Sequence, residues 1–271
     1  MLTLRIFYTV LFLHLLPLFV LRLWWRSIKV PAYRGRMHER FANIPKRKDD
    51  KPLIWIHAVS VGETIAAIPM VKHLQHQYPE HTICITSTTP TGSDRVKAAF
   101  KDSVLHYYLP YDLPSLQARF IDYLKPQLVI IMETELWPNM LAVCEEKGVP
   151  AILANGRMSE RSAKGYQRFA TLTAPMLASI SKIAAQSEAD AQRFIDLGAR
   201  AESVVNTGSI KFDIALDELV QERKSQLAEQ LKIQSRKVMA FASTHKGEDE
   251  QILEAVKPLL AGHKELLAFI V

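Results

Sequence analysis

"LIWIHAVSVGETIAAIPMV", Leu53–Val71, is the stretch on which the fold turns. Its first seven residues are almost wholly apolar, with β-branched and aromatic side chains, the pattern of a strand covered on both faces. Ser60 and Gly62 then break the run, a single carboxylate, Glu63, follows, and the apolar residues recur at helical spacing. A strand, a tight turn and a helix in that order make one unit of a parallel sheet.

The same cycle recurs outward from it. "TICITST" (82–88) precedes a helix predicted over Gly92–Phe100, and "LVIIMET" (128–134) precedes one over Leu136–Lys147; the first cycle's own helix is predicted over Thr64–Tyr78. "AILANG" (151–156), "KIAAQS" (182–187) and "SVVNTGS" (203–209) read as further strands, with one long helix predicted from Ser162 to Ile180. Apolar strands separated by helices predict an α/β doubly wound domain with a parallel sheet, over residues 28–215. A charged stretch, "LDELVQERKSQLAEQLKIQS" (216–235), then reads as a helical linker. After it "KVMAFAST", the turn "HKGEDE", a helix over Glu250–Leu260 and "ELLAFIV" read as the start of a second Rossmann-like domain, 236–271. Those residues are too few to complete a doubly wound sheet, so the reading expects a truncated domain there.

The composition fits a folded chain: 271 residues, 48% hydrophobic and 23% charged, can bury a substantial core. The net charge of +6 suits an anionic partner without naming it. Cys84 and Cys144 stand alone with no CxxC spacing, which argues for two buried thiols in a reducing compartment and against a disulfide framework or zinc site.

Residues 1–27 read as an uncleaved membrane anchor. The apolar run from Ile6 to Leu21 falls short of the roughly 20 residues that cross a bilayer, but extension from Leu2 to Trp25 with Arg5 and Arg22 snorkelling brings it into range. It can span the membrane or lie in its interface. Where a signal peptide would show small residues, "LRLWWRSIKV" is bulky and basic. The excess of Arg and Lys between Arg26 and Lys48 predicts that the body of the protein faces the cytoplasm and meets anionic lipid, with too few aromatic residues for a base-stacking platform.

G-x-G-x-x-G, Walker, H-E-x-x-H and G-x-S-x-G motifs are all missing from the sequence. In an open parallel sheet, ligands bind beyond the carboxyl ends of the strands, so residues there are the candidates. Three places qualify: "SVGE" with Gly62 and Glu63, "ETELWPN" with Glu133 and Glu135, and "GSIKFD" with Lys211. Each has an ordinary alternative. Glu63 can simply complement a helix dipole, Thr134 can cap a helix with Pro138 in its first turn, and Lys211 can be a solvated loop cation. Convergence of all three at one sheet edge favours a site. His57 reads as a core or rim residue, and His73, His76 and His81 as solvated rather than metal-ligating.

"HAVSVGE", "METELWPN", "NGRMSERS", "GSIKFD" and "ASTHKGEDE", in this order behind an apolar N-terminus, resemble the 3-deoxy-D-manno-octulosonic acid (Kdo) transferases of lipopolysaccharide assembly. That resemblance implies a GT-B glycosyltransferase in which the first Rossmann-like domain takes the acceptor and the second the nucleotide sugar. It implies CMP-Kdo as donor, lipid IVA as acceptor, inversion without a metal or other cofactor, and residence on the cytoplasmic face of the inner membrane among its lipids. Nucleic acid is not an expected partner. By motif, Glu63 would be the general base, and Glu133 and Lys211 would stabilise the transition state; Ser60 and Gly62 would contact the acceptor, and the basic stretch Arg34–Lys48, with Arg34 and Arg36, would hold its phosphates. The family's donor-binding motifs do not occur up to Val271, so this chain alone is expected to bind CMP-Kdo poorly. Two other readings stay open: a membrane-tethered transferase of another nucleotide sugar, and a lipid-binding module without catalysis.

Overall fold

The computed structural model describes residues 2–47, 50–213, 218–231, 233 and 236–271. The chain divides into two compact units, Met1–Ile214 and Ala215–Val271. In the first, seven parallel strands lie in the order β3-β2-β1-β4-β5-β6-β7. They are β1 (Leu53–His57), β2 (Thr82–Ser87), β3 (Leu105–Tyr108), β4 (Leu128–Met132), β5 (Ala151–Gly156), β6 (Lys182–Ala185) and β7 (Val204–Asn206). The intervening helices are α2 (Val61–Gln77), α3 (Pro90–Phe100), α4 (Pro114–Leu124), α5 (Pro138–Glu146), α6 (Glu160–Gln167), α7 (Ala170–Ala178) and α8 (Glu188–Asp196).

Strand order reverses between β1 and β4, because the chain first builds outward through β2 and β3 and then returns to the other side of β1. That reversal opens a crevice at the carboxyl ends of the two central strands, where neighbouring loops diverge. All five residues of β1 are buried, as its unbroken apolar run requires. One face packs Trp55 against Phe120, Ile131 and Met140; the other packs Ile54 and Ile56 against Ala66, Ala67 and Val96. His57 is core, as read from the sequence: its Nδ1 lies 2.9 Å from the Thr86 hydroxyl, which also accepts the Trp55 indole N–H at 2.8 Å. Burial lowers the His57 pKa to about 4, so the ring is neutral.

Three regions differ from the sequence expectation. The single helix predicted over Ser162–Ile180 is two helices, α6 and α7, broken at Arg168 and Phe169. Strand β3 and helix α4 were not predicted; Tyr107 and Tyr108 alternate across a sheet edge, where one exposed flank weakens the apolar signal. Helix α5 is capped otherwise than expected. Trp137 holds the N-cap position, the Thr134 hydroxyl bonds the Arg157 carbonyl, and the buried Asp112 carboxylate accepts the Asn139 and Met140 amides at 3.0 and 2.8 Å.

Helix α1 (Leu2–Lys29) belongs to the first unit and lies against α5 and α7. Arg5 pairs with Glu146 at 2.8 Å, the Tyr8 hydroxyl donates to Asp112 at 3.0 Å, and Thr9 and Asn139 exchange hydrogen bonds. The opposite face exposes Phe7, Leu11, Leu18, Leu21 and Trp25. By length and apolarity the helix could cross a membrane.

Past α1, Arg36 and Glu39 form an ion pair at 2.7 Å on the outer flank of β3. The Arg36 guanidinium also donates to the Ser93 hydroxyl and the His106 carbonyl and covers the Tyr108 ring, while Glu39 accepts the Tyr108 amide.

The second unit holds α9 (Glu218–Gln230), β8 (Lys237–Phe241), α10 (Glu248–Gly262) and β9 (Leu266–Ile270), with β8 and β9 parallel. Parts of the predicted 216–235 linker helix lie outside the described residues; α9 covers its centre.

Candidate active site

Helix α2 begins where the β1 run ends because Ser60 caps it: the Ser60 hydroxyl accepts the Glu63 amide at 3.2 Å. Glu63 returns the contact, with Oε1 accepting the Ser60 hydroxyl and Oε2 the Val59 amide, each at 2.8 Å. This reciprocal cap fixes the carboxylate at the mouth of the crevice, 6% exposed, with the positive end of α2 behind it. Burial is the main cause that raises the Glu63 pKa; the Val59 and Ser60 hydrogen bonds oppose it, and the Glu133 charge adds to it. A carboxylate that is ionised yet held above the ordinary range is a better proton acceptor near neutral pH than a solvated one. A Cβ on Gly62 would meet only the Ser60 hydroxyl, at 3.8 Å, so the fold itself does not require glycine there.

Across the reversal, the chain leaves β4 at Glu133 with φ of 55°, a left-handed backbone that costs a non-glycine residue energy and often marks a functional turn. Its amide is tied to the Ala154 carbonyl at 2.9 Å. Glu133 Oε1 lies 3.6 Å from Lys211 Nζ. Lys211 sits on a short 3-10 turn, Ile210–Asp213, which packs against α2 through Ile210. Glu63, Glu133 and Lys211 therefore share the carboxyl edge of the sheet, drawn from β1, β4 and the segment after β7.

Asn155 was not singled out from the sequence. It too has a left-handed backbone, with φ of 56°, and its Oδ1 accepts the Ile210 amide at 3.2 Å, so it holds the turn that carries Lys211. Its Nδ2 is buried without a partner among the described residues. The signal was the Asn-Gly pair closing "AILANG", which marks a sharp exit from a strand.

Glu135 lies in the same loop. Burial, followed by the Glu63 and Glu133 charges, raises its pKa from the ordinary 4.5 to about 7. A carboxyl raised in the folded state binds its proton more tightly there than when unfolded, so folding loses stability as pH climbs from 4.5 through about 7. Glu135→Gln, which cannot ionise, is expected to gain on the wild type across that window, reaching roughly 1–3 kcal/mol above it. Melting curves at pH 5 to pH 8 read the difference; a gain independent of pH would reject the assignment.

The sequence-predicted basic contacts are placed elsewhere. Arg34 donates to the Ser27 hydroxyl at 2.6 Å and faces the Trp24 ring, at the end of α1. Arg36 is occupied by the β3 flank. Neither makes a contact with Glu63, Glu133 or Lys211.

Residues 35–214 match the family described as 3-deoxy-D-manno-octulosonic-acid transferase (kdotransferase). The chain belongs to that family. It is 45% identical over 269 residues to the 3-deoxy-D-manno-octulosonic acid transferase of Haemophilus influenzae, covering 98% of this chain and 62% of that protein. With the Bordetella pertussis transferase of the same description it shares 34% over 275 residues, covering 94% and 60%. The chain thus spans about three fifths of the length of these relatives. Among solved structures it is similar to a UDP-GlcNAc 2-epimerase from Neisseria meningitidis, with TM-score 0.57 and 14% identity over 80% of this chain and 64% of that one. A glycosyltransferase from Rickettsia africae gives 0.51 and 15%, over 82% and 69%. At such identities the likeness speaks for the fold alone: the first unit is an α/β parallel-sheet domain of the GT-B type.

Proposed function

We propose that the protein is an inverting glycosyltransferase that moves Kdo from CMP-Kdo to lipid IVA, the acylated disaccharide bisphosphate, at the cytoplasmic face of the inner membrane. The observation that carries this reading is the meeting of a capped, desolvated Glu63 with the Glu133–Lys211 pair at the switch point of the sheet. Glu63 takes the proton of the acceptor hydroxyl as its oxygen attacks the anomeric carbon, on the face opposite the leaving CMP. One C–O bond forms, the bond to CMP breaks, and the electron pair leaves with the phosphate. Positive charge that develops on the sugar ring is met by Glu133, and negative charge on the CMP phosphate or the Kdo carboxylate by Lys211. Gly62 and Ser60 leave room for the sugar beside the base. Arg34, exposed just past α1, is one phosphate contact in this reading; Arg36 we read as holding the β3 flank instead.

A transfer assay with the natural protein carrying this sequence tests the reading. Labelled Kdo is expected to pass from CMP-Kdo to lipid IVA and not to phosphatidylglycerol, and UDP-sugars are expected to give no product. Transfer from a UDP-sugar would replace the donor assignment, and lipid IVA binding with no transfer from any donor would favour a binding module.

The polar contacts of α1 bear on how the protein meets the membrane. Spanning would strip Arg5, Tyr8 and Thr9 from Glu146, Asp112 and Asn139, and desolvated polar groups left unpaired cost several kcal/mol in a bilayer, order of magnitude. We read α1 as lying in one leaflet, apolar face to lipid. A Leu4→Cys variant is expected to react with an impermeant maleimide in inside-out vesicles and not in right-side-out cells. Labelling from the periplasmic side would establish a spanning helix.

A further inference from the structure

Between α1 and the loops that follow β2, β3 and β4 lies a cavity of about 360 Å³, a size usual for ligand pockets. Phe12, Phe19 and Leu23 form its wall on the helix, and Leu109, Pro110 and Trp137 its wall on the sheet domain. Phe12 is held in place by rings at 5.8 and 6.5 Å, those of Tyr8 and Tyr111, and the helix itself is pinned by Tyr8 and Thr9. Three cations line the cavity beside these apolar walls: Arg22 and Arg26, both exposed, and Arg40, 5% exposed, whose Nη2 donates to the Thr88 carbonyl at 2.7 Å and whose guanidinium lies over the Tyr108 ring. Among the described residues none of the three forms an ion pair with a carboxylate. The carboxylate in the lining, Asp112, is 1% exposed and already bonded to Tyr8 and to the Asn139 and Met140 amides. Arg40 Nε and the Tyr111 hydroxyl are buried with no hydrogen-bond partner among the described residues.

Such a lining suits an amphiphile with an apolar tail and an anionic group. Its position narrows the choice. Thr89, in the lining, donates to the Val59 carbonyl at 3.2 Å, and the Val59 amide is the one that holds Glu63. Trp137, opposite, closes the loop that begins with Glu133. The cavity therefore abuts the candidate catalytic edge.

We propose that this cavity takes one acyl chain of the lipid acceptor, with Arg22, Arg26 and Arg40 facing an acceptor phosphate, so that helix α1 is a wall of the substrate site as well as a membrane contact. This rests on the reading of the acceptor as an acylated, phosphorylated saccharide. The chain in the cavity would set how far the sugar can reach toward Glu63, which makes acyl length a determinant of specificity.

Lipid IVA bearing a terminal diazirine on one acyl chain tests this by photolabelling and peptide mapping of the intact protein in vesicles. Adducts are expected on Phe12, Phe19, Leu109 or Trp137, displaced by unlabelled lipid IVA and not by the same amount of phosphatidylglycerol. Leu23→Trp, which fills the cavity from the helix side, is expected to weaken lipid IVA binding about tenfold, the equivalent of losing roughly two buried methylene groups. Binding of the de-acylated disaccharide bisphosphate should not change in the same variant; Phe19→Trp provides a second filling substitution. Adducts confined to the outward Trp24, Trp25 and Ile28, equal displacement by phosphatidylglycerol, or equal weakening of both ligands would overturn the proposal. If lipid IVA binds and labels other sites, the cavity assignment alone falls; if it does not bind at all, the acceptor assignment falls with it.

Discussion

Glu63→Gln is expected to lower kcat for sugar transfer by about 10²–10⁴, the usual contribution of a positioned proton acceptor, in the natural protein carrying this sequence. The glutamine is chosen because Glu63 has two jobs. It accepts hydrogen bonds from the Val59 amide and the Ser60 hydroxyl, closing the start of α2. A glutamine carbonyl can keep the Val59 bond, and its amide can donate to Ser60, whose hydroxyl rotates to accept. The cap survives and stability should move by less than about 1 kcal/mol. Glu63→Ala would lose both, and its loss of activity would be confounded by a cap worth about 0.5–2 kcal/mol. The pH profile separates the roles further. Because burial lifts the Glu63 pKa, wild-type kcat/KM should rise with pH along an acid limb set above the ordinary carboxylate value, and the variant should lose that limb. A glutamine variant with wild-type kcat and an unchanged limb would remove Glu63 from the chemistry and leave it a cap.

Lys211→Met is expected to cost roughly 10²–10³ in kcat, as for the loss of one fixed charge or donor at a site of developing negative charge. Stability should hardly respond. The Lys211 side chain is 53% exposed, and its 3.6 Å pairing with Glu133 is the kind of solvated ion pair that contributes about 0–1 kcal/mol. Large kinetic loss with little change in melting temperature therefore marks a role at the transition state. Asn155→Ala gives the control, since it leaves the cation but frees the turn from its Ile210 bond; it should show a smaller loss than Lys211→Met. Equal kcat in Lys211→Met and wild type, measured at saturating donor, would exclude the assignment.

The βα rhythm was legible because buried parallel strands carry unbroken apolar runs, and Leu53–His57 is as plain a case as a sequence offers. Strand β3 escaped notice because it lies at the sheet edge, where residues such as His106 and Tyr107 face a partly open flank. Helices α6 and α7 read as one because nothing in "YQRFATL" is a strong helix breaker; at the break the Thr173 hydroxyl donates to the Tyr166 carbonyl at 3.0 Å, a contact with no local signature. For the site, Glu63 and Glu133 stood out because they follow strands. Asn155 did not, since its part is to grip a backbone amide 55 residues later, a contact set by topology rather than by local pattern. From the sequence Arg36 is expected at the acceptor, and only the fold shows it engaged with Glu39, Ser93 and His106.

That engagement has a further effect on how copies of the protein behave in concentrated solution. β3 is the rim of the seven-stranded sheet, and a rim strand offers its unused main-chain groups to any neighbouring molecule able to extend the sheet. Here the His106 carbonyl is taken by Arg36 and the Tyr108 amide by Glu39, two side chains imitating the next strand. An incoming chain must first break a charged pair, so the Arg36–Glu39 clasp acts as a guard against self-association along that rim.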